Sequence, residues 1–344
     1  MLTDDTLREG MQAPGIAFTL DEKIRIAQSI SKSGIKRALV SYPSAHESEV
    51  EAARKITDLH LFDDTYSLGR SIKEDVDSII STGSKVTLHL PFGDYDINKI
   101  CDVVKYASDH SDSVEIAIVD MVKYEKEKIF DLAKKLWECG ASIVQIPDTT
   151  GRATPKRVHD VVSYIKQNLK VKVEVHCHND HGLAIANSIA GIEAGCDYVD
   201  TTIFGIGERN GIADTASIAS YLEKAGYEDK INFEMLRKTY DLMSELILRK
   251  AGYRFFADNM PIFGRNVLSI TAGTHSTSKV FPNSRVSLNV YAGSRLVASI
   301  LRKNGIEPDE RKVKLLVSKI KDLSSNEGRV VGEDEVLKIY GGIL

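Results

Sequence analysis

Short apolar runs alternate with segments of helical period over residues 1–225, and this alternation constrains the fold more than any other feature. Several runs are almost continuously apolar, as strands buried on both faces must be. The predicted strands are Leu2–Thr6, Arg37–Ser41, Leu61–Ser67, Val86–Leu90, Val114–Val119, Ser142–Pro147, Val171–Cys177 and Tyr198–Ile203. Each connection is long enough for a helix that returns the chain parallel to the strand before it. Eight such repeats predict an α/β fold of the (β/α)8 TIM-barrel type, because an open Rossmann sheet has fewer repeats before its second domain.

Amphipathic segments between these strands predict the helices of the barrel. They include Leu20–Ser33, Ser48–Leu59, Ile72–Ser81 and Pro155–Leu169. We place the barrel at residues 1–228, with a helical extension over 229–254, and a small, mainly helical C-terminal flanking region at 255–344. Helices of that region are predicted at Val297–Lys303, Asp309–Leu323 and Asp334–Tyr340. We expect no second independent core there.

Charge and composition exclude several classes of protein. With 45 basic and 49 acidic side chains the net charge is −4, so the chain does not resemble a polybasic nucleic-acid-binding protein. The segment MLTDDTLREG has no apolar signal-peptide core, and no run of 18 uncharged apolar residues predicts a membrane span. We therefore expect a cytoplasmic protein. The four cysteines form no CxxC pair, and we expect reduced thiols.

Polar residues cluster after three of the predicted strands. A TIM barrel has its active site at the C-terminal ends of its strands. Strand 1 leads into Arg8, Glu9 and Gln12, strand 7 ends in the sequence HCHND over 176–180, and strand 8 leads into GIGERNG over 205–211. Strands 7, 8 and 1 are neighbours in a closed barrel, so these groups are expected to converge.

His176 and His178 are two residues apart, which directs both imidazoles to one face of the strand. With the carboxylate of Glu9 they predict a divalent metal site for Zn, Mn, Fe or Mg, with positions open for a substrate. Arg8 beside such a site would stabilise an oxyanion that develops on a carbonyl. The alternatives are two histidines that are merely hydrogen-bonded in a polar barrel mouth, and a surface ion pair of Arg8 with Asp4 or Asp5.

Three other features leave more than one interpretation open. The glycines of GIGERNG could form a phosphate-binding loop, although the spacing does not fit a Rossmann fingerprint. Thr149, Thr201 and Thr202 could donate to a carboxylate, or could be buried β-branched strand residues. His275 lies in a loop-rich segment, and the pattern alone does not select it because such histidines are usually solvated.

The segments DDTLREGMQAPG, VEVHCHNDHGLAIANSIAG and TTIFGIGERNG together resemble the acyltransferase branch of the DRE-TIM metallolyases, the family of homocitrate synthase and 2-isopropylmalate synthase. The resemblance covers most of the chain, with QIPDTTGRATP, PIFGRNVLSITAGTH and YAGSR as further similar segments. It implies a Claisen-type condensation of acetyl-CoA with a 2-oxo acid that is bound to a divalent metal. The product would be a 2-hydroxy diacid.

The resemblance also implies roles for individual residues. Glu9, His176 and His178 would bind the metal, and Arg8 would face the substrate carbonyl. His275 would serve the acyl-CoA end of the site across the interface of a homodimer, with Tyr291 as a companion, so that residues 255–344 complete both the site and the dimer. We expect substrate-binding side chains at Gln12, His89, Lys123, Thr149, Glu208 and Asn210.

Departures from the family pattern affect the choice of 2-oxo acid. Met11 replaces a glutamate of the usual REGEQ start, Leu39–Ser41 replaces an EAG-like segment, and Ser276–Ser278 replaces QDG-like residues. Lys123 stands where homocitrate synthases have an arginine for a distal carboxylate, and a lysine cannot form the bidentate fork. The GERNG form, in contrast, is similar to that of homocitrate synthases.

Two rival functions stay open at this point. A retro-Claisen acyl-CoA lyase of the same superfamily fits the apolar Met11, but such lyases have a cysteine in the loop after strand 8, which here reads GIGERNG. A non-catalytic paralogue that keeps the metal site is the other. An amidohydrolase is disfavoured because its HxH pair would lie on strand 1.

Overall fold

The computed structural model describes residues 1–227, 230–255, 258–270 and 285–343. Its first unit, residues 1–256, is built on eight parallel strands that close into a barrel. The strands are β1 Leu2–Asp4, β2 Arg37–Ser41, β3 Asp64–Arg70, β4 Lys85–His89, β5 Val114–Ala117, β6 Ile143–Asp148, β7 Lys172–Cys177 and β8 Tyr198–Thr201. Pairing of Thr3 on β1 with Asp200 on β8 completes the ring. The predicted TIM barrel is confirmed.

Helices follow the strands and cover the outside of the barrel. They are α1 Leu20–Lys32, α2 Glu47–Asp58, α3 Lys73–Ile80, α4 Ile97–His110, α5 Lys126–Glu138, α6 Pro155–Asn168, α7 Ala184–Glu193, α8 Thr215–Ala225 and α9 Phe233–Ala251. The start of α1 shows how the sequence sets these boundaries, since Thr19 and Glu22 form a reciprocal capping box. Asp214 caps α8 in a similar way through the Ser217 amide.

The predicted strand positions differ from the structure mainly at β3. The apolar run at 61–67 predicted a strand from Leu61, but the ladder with β2 begins where Arg37 pairs with Asp64. Phe62 is buried all the same, because it packs in the connection that precedes the strand. Burial before a strand and burial within it leave the same apolar signal in the sequence.

The second unit, residues 257–344, contains three helices and three short strands in its described part. These are β9 Ser269–Ile270, β10 Arg285–Leu288, α10 Ser294–Lys303, α11 Glu310–Glu327, β11 Val331–Gly332 and α12 Glu333–Gly341. Buried residues of this unit, among them Leu296, Ile300, Leu316 and Ile320, form a hydrophobic cluster of their own. The expectation that this region lacks an independent core was therefore wrong, because the apolar faces of the helices pack against each other.

The expectation of four reduced cysteines was also wrong. Cys101 in α4 and Cys139 at the end of α5 form a disulfide, with a Cα–Cα distance of 5.3 Å. The helices are neighbours on the outside of the barrel, so a pair 38 residues apart meets in space without any local CxxC spacing. Cys177 and Cys196 are free thiols.

Across the residues that the structure describes, no helix has both the length and the apolar character needed to cross a membrane.

Candidate metal centre and active site

Glu9 lies at the mouth of the barrel, in the turn after β1. It is 1% exposed, and its carboxylate accepts hydrogen bonds from the Glu208 amide and from Arg8 Nη1, each at 2.7 Å. The Glu9 amide in turn donates to the Asp5 carbonyl oxygen at 2.8 Å. Burial acts to raise the pKa of Glu9, but the Arg8 guanidinium and two nearby imidazoles outweigh it and lower the pKa. Glu9 is thus an ionised carboxylate held in one position.

The two imidazoles belong to His176 in β7 and to His178, which directly follows that strand. Both residues are buried, and their Nε2 atoms lie 3.3 Å apart. Burial lowers the pKa of each imidazole to about 4. The rings are therefore neutral near pH 7, which is the form of imidazole that binds metal ions.

Asp200 on β8 fixes the orientation of the His176 ring. Its Oδ2 lies 2.9 Å from His176 Nδ1 and also accepts a hydrogen bond from Gln145 Nε2 at 2.7 Å. An oxygen that accepts from Gln145 pairs best with a protonated Nδ1, so the lone pair of His176 is on Nε2, beside His178. Carboxylates behind metal-binding histidines commonly have this orienting role.

The side chains of Glu9, His176 and His178 fit a divalent cation. One ligand atom from each lies within 4.8 Å of the other two. Two neutral imidazole nitrogens and one ionised carboxylate suit Zn, Mn, Fe or Mg, and leave coordination positions for a substrate. We call these three residues the metal trio.

A second group of possible ligands, Asp5, His176 and Asp200, lies directly behind the trio. Asp200 is already bonded to His176 Nδ1, and Asp5 forms an ion pair with Arg8 Nη2. Burial raises the pKa of both aspartates well above the ordinary range. Their contacts make them supports of His176 and Arg8 rather than ligands of another ion.

Arg8 is held between two carboxylates. It pairs with Asp5 and with Glu9, its side chain is 14% exposed, and Nη1 lies 3.4 Å from Gln12 Oε1. The sequence left open a surface ion pair of Arg8 with Asp4 or Asp5, but the ion pairs that Arg8 forms in the structure are largely buried. Arg8 Nε is buried and finds no acceptor among the described residues.

The glycines of the GIGERNG loop allow a close approach to Glu9 instead of forming an empty phosphate cradle. A Cβ atom on Gly207 would lie 2.6 Å from Glu9 Oε1, which is closer than real Cβ contacts allow. The loop amides are also in use: Glu208 donates to Glu9, Gly211 to the Glu208 carbonyl oxygen, and Ile212 to that of Gly205.

Thr149 follows β6 at the same end of the barrel. Its hydroxyl accepts a hydrogen bond from the Asp120 amide at 2.9 Å, and its own O–H has no acceptor among the described residues. Thr201 and Thr202 instead donate to the carbonyl oxygens of Thr3 and Ile206. Those two threonines are buried and bonded to the backbone, in agreement with the alternative that they are buried β-branched residues.

The other expected substrate-binding residues have diverse surroundings. Gln12 is exposed beside Arg8, and His89 at the end of β4 bonds through Nδ1 to the Leu90 carbonyl oxygen at 3.1 Å. Lys123 is exposed, and its Nζ lies 5.5 Å from the centre of the aromatic ring of Tyr124, the next residue in the chain. Asn210 and Glu208 are exposed on the GIGERNG loop.

His275 and the segment 276–278 lie outside the described residues. Tyr291, in the second unit, is 75% exposed.

Sequence reasoning missed the polar column that supports His176 inside the barrel. Below Asp200 lie Gln145, Glu115 and Glu174, and Arg37 forms ion pairs with both glutamates. The signal was present, since each of these residues interrupts an otherwise apolar strand. Charged side chains in strands buried on both faces must find partners within the barrel.

A family model described as HMGL-like matches residues 1–243. A probable 2-isopropylmalate synthase from Archaeoglobus fulgidus is 31% identical, over 96% of this chain and 71% of that protein. A 2-isopropylmalate synthase from Sulfolobus acidocaldarius is 32% identical, over 96% of this chain and 92% of the relative.

Solved structures with this fold are more distant in sequence. An HMG-CoA lyase from Acinetobacter baumannii, in complex with coenzyme A and 3-methylmalate, has a TM-score of 0.63 at 19% identity, over 73% of this chain and 94% of the lyase. The carboxyl transferase domain of Rhizobium etli pyruvate carboxylase has a TM-score of 0.66 at 17% identity, over 78% of this chain and 50% of that chain. At this identity the likeness concerns the fold.

Proposed function

The chain belongs to the HMGL-like family, and we propose that it is an acyltransferase that condenses acetyl-CoA with a 2-oxo acid. The observation that supports this most directly is the metal trio with Arg8 beside it. Relatives named 2-isopropylmalate synthase match nearly the whole chain, whereas the lyase likeness is one of fold. The loop after β8 also lacks the cysteine expected of such lyases.

The 2-oxo acid would bind at the metal trio with its carboxylate toward the hydroxyl of Thr149, whose O–H is free to donate. A divalent metal bound by Glu9, His176 and His178 would polarise the ketone as a Lewis acid. Arg8, fixed by its ion pairs with Asp5 and Glu9, supplies a positive charge suited to the alkoxide that forms at that ketone oxygen. Gln12, adjacent to Arg8, would help to hold the same end of the substrate.

The proposed reaction has three steps. A base removes a proton from the methyl group of the acetyl thioester. The methylene carbon of the resulting enolate attacks the ketone carbon of the 2-oxo acid. The new alkoxide takes up a proton and becomes the 2-hydroxyl group. Water then cleaves the thioester, which releases the coenzyme A thiol and leaves a second carboxylate on the product.

A branched-chain monocarboxylate such as 2-oxoisovalerate is the acceptor that we expect. Lys123, at the position expected to recognise a distal carboxylate, is exposed and lies over the Tyr124 ring. A single ammonium group cannot form the planar two-pronged contact of an arginine. The names of the curated relatives point to the same acceptor.

The test is a thiol-release assay with acetyl-CoA and each of 2-oxoisovalerate, 2-oxoglutarate, pyruvate, oxaloacetate and glyoxylate, on protein loaded with Zn²⁺, Mn²⁺ or Mg²⁺. We expect the highest kcat/KM with 2-oxoisovalerate, and His176→Ala should lose metal and activity together. Cleavage of hydroxymethylglutaryl-CoA without any condensation would identify a lyase. Stoichiometric metal with no thiol release from any pair would identify a non-catalytic paralogue.

We also propose that the working form is a homodimer in which His275 serves the partner's acyl-CoA site, as the family resemblance implies. In that arrangement His275→Ala and Glu9→Ala subunits, each nearly inactive, form mixed dimers with one intact site. Co-refolded mixtures should then regain part of the wild-type rate. Mixed dimers that sediment as expected but stay inactive would show that His275 acts within its own subunit or not at all.

A further inference from the structure

The loops after β6, β7 and β8 meet at Arg209, a residue that neither the sequence pattern nor the proposed mechanism uses. Arg209 Nε donates to Asp180 Oδ1 at 2.7 Å, and Nη2 donates to Asp180 Oδ2 at 3.0 Å. The same Nη2 donates to the carbonyl oxygen of Thr149 at 2.7 Å. One guanidinium therefore joins three successive loops at the mouth of the barrel.

The backbone at this point is held in an unusual conformation. Arg209 has φ of 57°, in the left-handed region that non-glycine residues rarely adopt. Gly151, two residues after Thr149, also has positive φ, and a Cβ on it would collide with Asp180. Such conformations persist where surrounding contacts fix them, and they are common at functional sites.

Both sides of the Arg209 contact have further hydrogen bonds. In the loop after β8, Ile212 N donates to Gly205 O, and Asn179 N from the loop after β7 donates to Gly211 O. On the other side, the Thr149 hydroxyl accepts from the Asp120 amide at 2.9 Å. In the described part of the chain, the Thr149 carbonyl oxygen has Arg209 as its hydrogen-bond donor. Loss of the guanidinium should therefore release the carbonyl end of Thr149, which can then turn about the remaining Asp120 bond, while the amide of Glu208 still holds Glu9.

We propose that Arg209, oriented by Asp180, is a positioning residue that holds Thr149 at a fixed place relative to Glu9 and thereby sets the affinity for the 2-oxo acid. The residue next to Arg209 supplies the amide that binds Glu9. A single loop thus connects the metal trio to the residue that would bind the substrate carboxylate. The inference rests on the proposed function, because it gives Thr149 that partner.

The test uses Arg209→Asn, because asparagine tolerates left-handed φ and the change removes the guanidinium without a backbone penalty. We expect the Kd for 2-oxoisovalerate, measured by calorimetry on metal-loaded protein, and its KM to rise by about 10- to 100-fold. KM for acetyl-CoA and the metal affinity of the apoprotein should stay within about threefold. Arg209→Lys should give an intermediate value.

Two further variants separate positioning from general stability. Asp180→Asn should raise the same constants by a smaller factor, and the double variant should be no worse than Arg209→Asn, since the pair acts as a unit. Arg329, which forms a comparable two-pronged pair with Glu335 in the second unit, provides the control Arg329→Asn, with unchanged constants.

Unchanged 2-oxo acid affinity in Arg209→Asn would overturn the proposal, and so would equal losses for both substrates or a parallel loss of metal. If wild-type protein binds the 2-oxo acid but releases no thiol, the proposed reaction fails while the positioning role is still decided by Kd. If it binds no 2-oxo acid at all, both proposals fail.

Discussion

Gly207→Ala is the sharpest available test of where Glu9 sits. Gly207 adopts a backbone conformation that alanine tolerates, but a Cβ there would lie 2.6 Å from Glu9 Oε1 and 2.9 Å from Cγ. An ordinary contact needs at least 3.4 Å, so the carboxylate must move by about 0.5–1 Å, a displacement large enough to disturb a preorganised site. Glu9 is buried and bonded on both sides, so it cannot give way freely.

The expected loss follows from the cost of overpacking. Forcing one extra methyl group into a filled site costs about 1–3 kcal/mol, and each 1.4 kcal/mol is a factor of about ten in affinity. Metal affinity should therefore fall by about 10- to 100-fold. This range matches the effect of disturbing groups that support metal ligands.

The assay is a competition titration of apoprotein with Zn²⁺ against a chromophoric chelator, with thermal unfolding measured in parallel. Gly341→Ala is a matched control, because a Cβ at Gly341 meets nothing within 4 Å. That variant should bind metal like the wild type. If Gly207→Ala also kept wild-type metal affinity and activity, Glu9 would not be a ligand in the position described.

Three other changes test the same site and its support. Arg8→Lys should lower turnover by about 100-fold with metal affinity within threefold, because the lysine keeps a positive charge beside Glu9 but loses the fork that would stabilise the alkoxide; equal turnover with every active 2-oxo acid would reject this role. Asp200→Asn should weaken metal binding by about tenfold or more, since it removes the carboxylate that orients His176; unchanged affinity in a titration would contradict it. Burial raises the pKa of Asp4 from 3.8 to about 7. Between these pH values, Asp4 is protonated in the folded chain and ionised in the unfolded chain. Asp4 alone should then make stability fall by about 1.4 kcal/mol per pH unit as pH rises through that window. In urea unfolding, the slope of Asp4→Asn should be smaller by that amount, while other buried carboxyls such as Asp5 keep their own contributions.

The barrel was predictable because the period of its apolar runs is repeated eight times. Buried parallel strands must be apolar, and their connections must contain helices, so local chemistry and global fold give the same pattern. The metal trio was predictable for a related reason. Glu9, His176 and His178 lie at the ends of strands that become neighbours only through closure of the barrel, and closure follows from the strand count.

Pairings between loops were not predictable from the chain. Arg209 meets Asp180 and Thr149 across 29 and 60 residues, and nothing in local spacing distinguishes it from a solvated arginine. The Cys101–Cys139 disulfide was not predicted for the same reason, because the packing of α4 against α5 determines the distance between the two cysteines. Such contacts depend on how the loops fold, and loops have no periodic signal.

The polar column inside the barrel places buried carboxyl groups behind the metal trio. A TIM barrel is usually filled by branched apolar side chains, but here Glu115, Glu174 and Asp200 occupy its interior, with Arg37 paired to the two glutamates. Burial, together with the neighbouring Glu174 carboxylate, raises the pKa of Glu115 and of Asp200.

A cation at the metal trio would be bound by the ionised Glu9 carboxylate and by His176, whose ring Asp200 orients from behind. The column also runs along strands, which hold side chains more precisely than loops do. Side chains on strands therefore set the orientation of His176, while most of the residues expected to bind the 2-oxo acid lie on loops. One barrel can in this way keep its metal chemistry while its loops change the substrate.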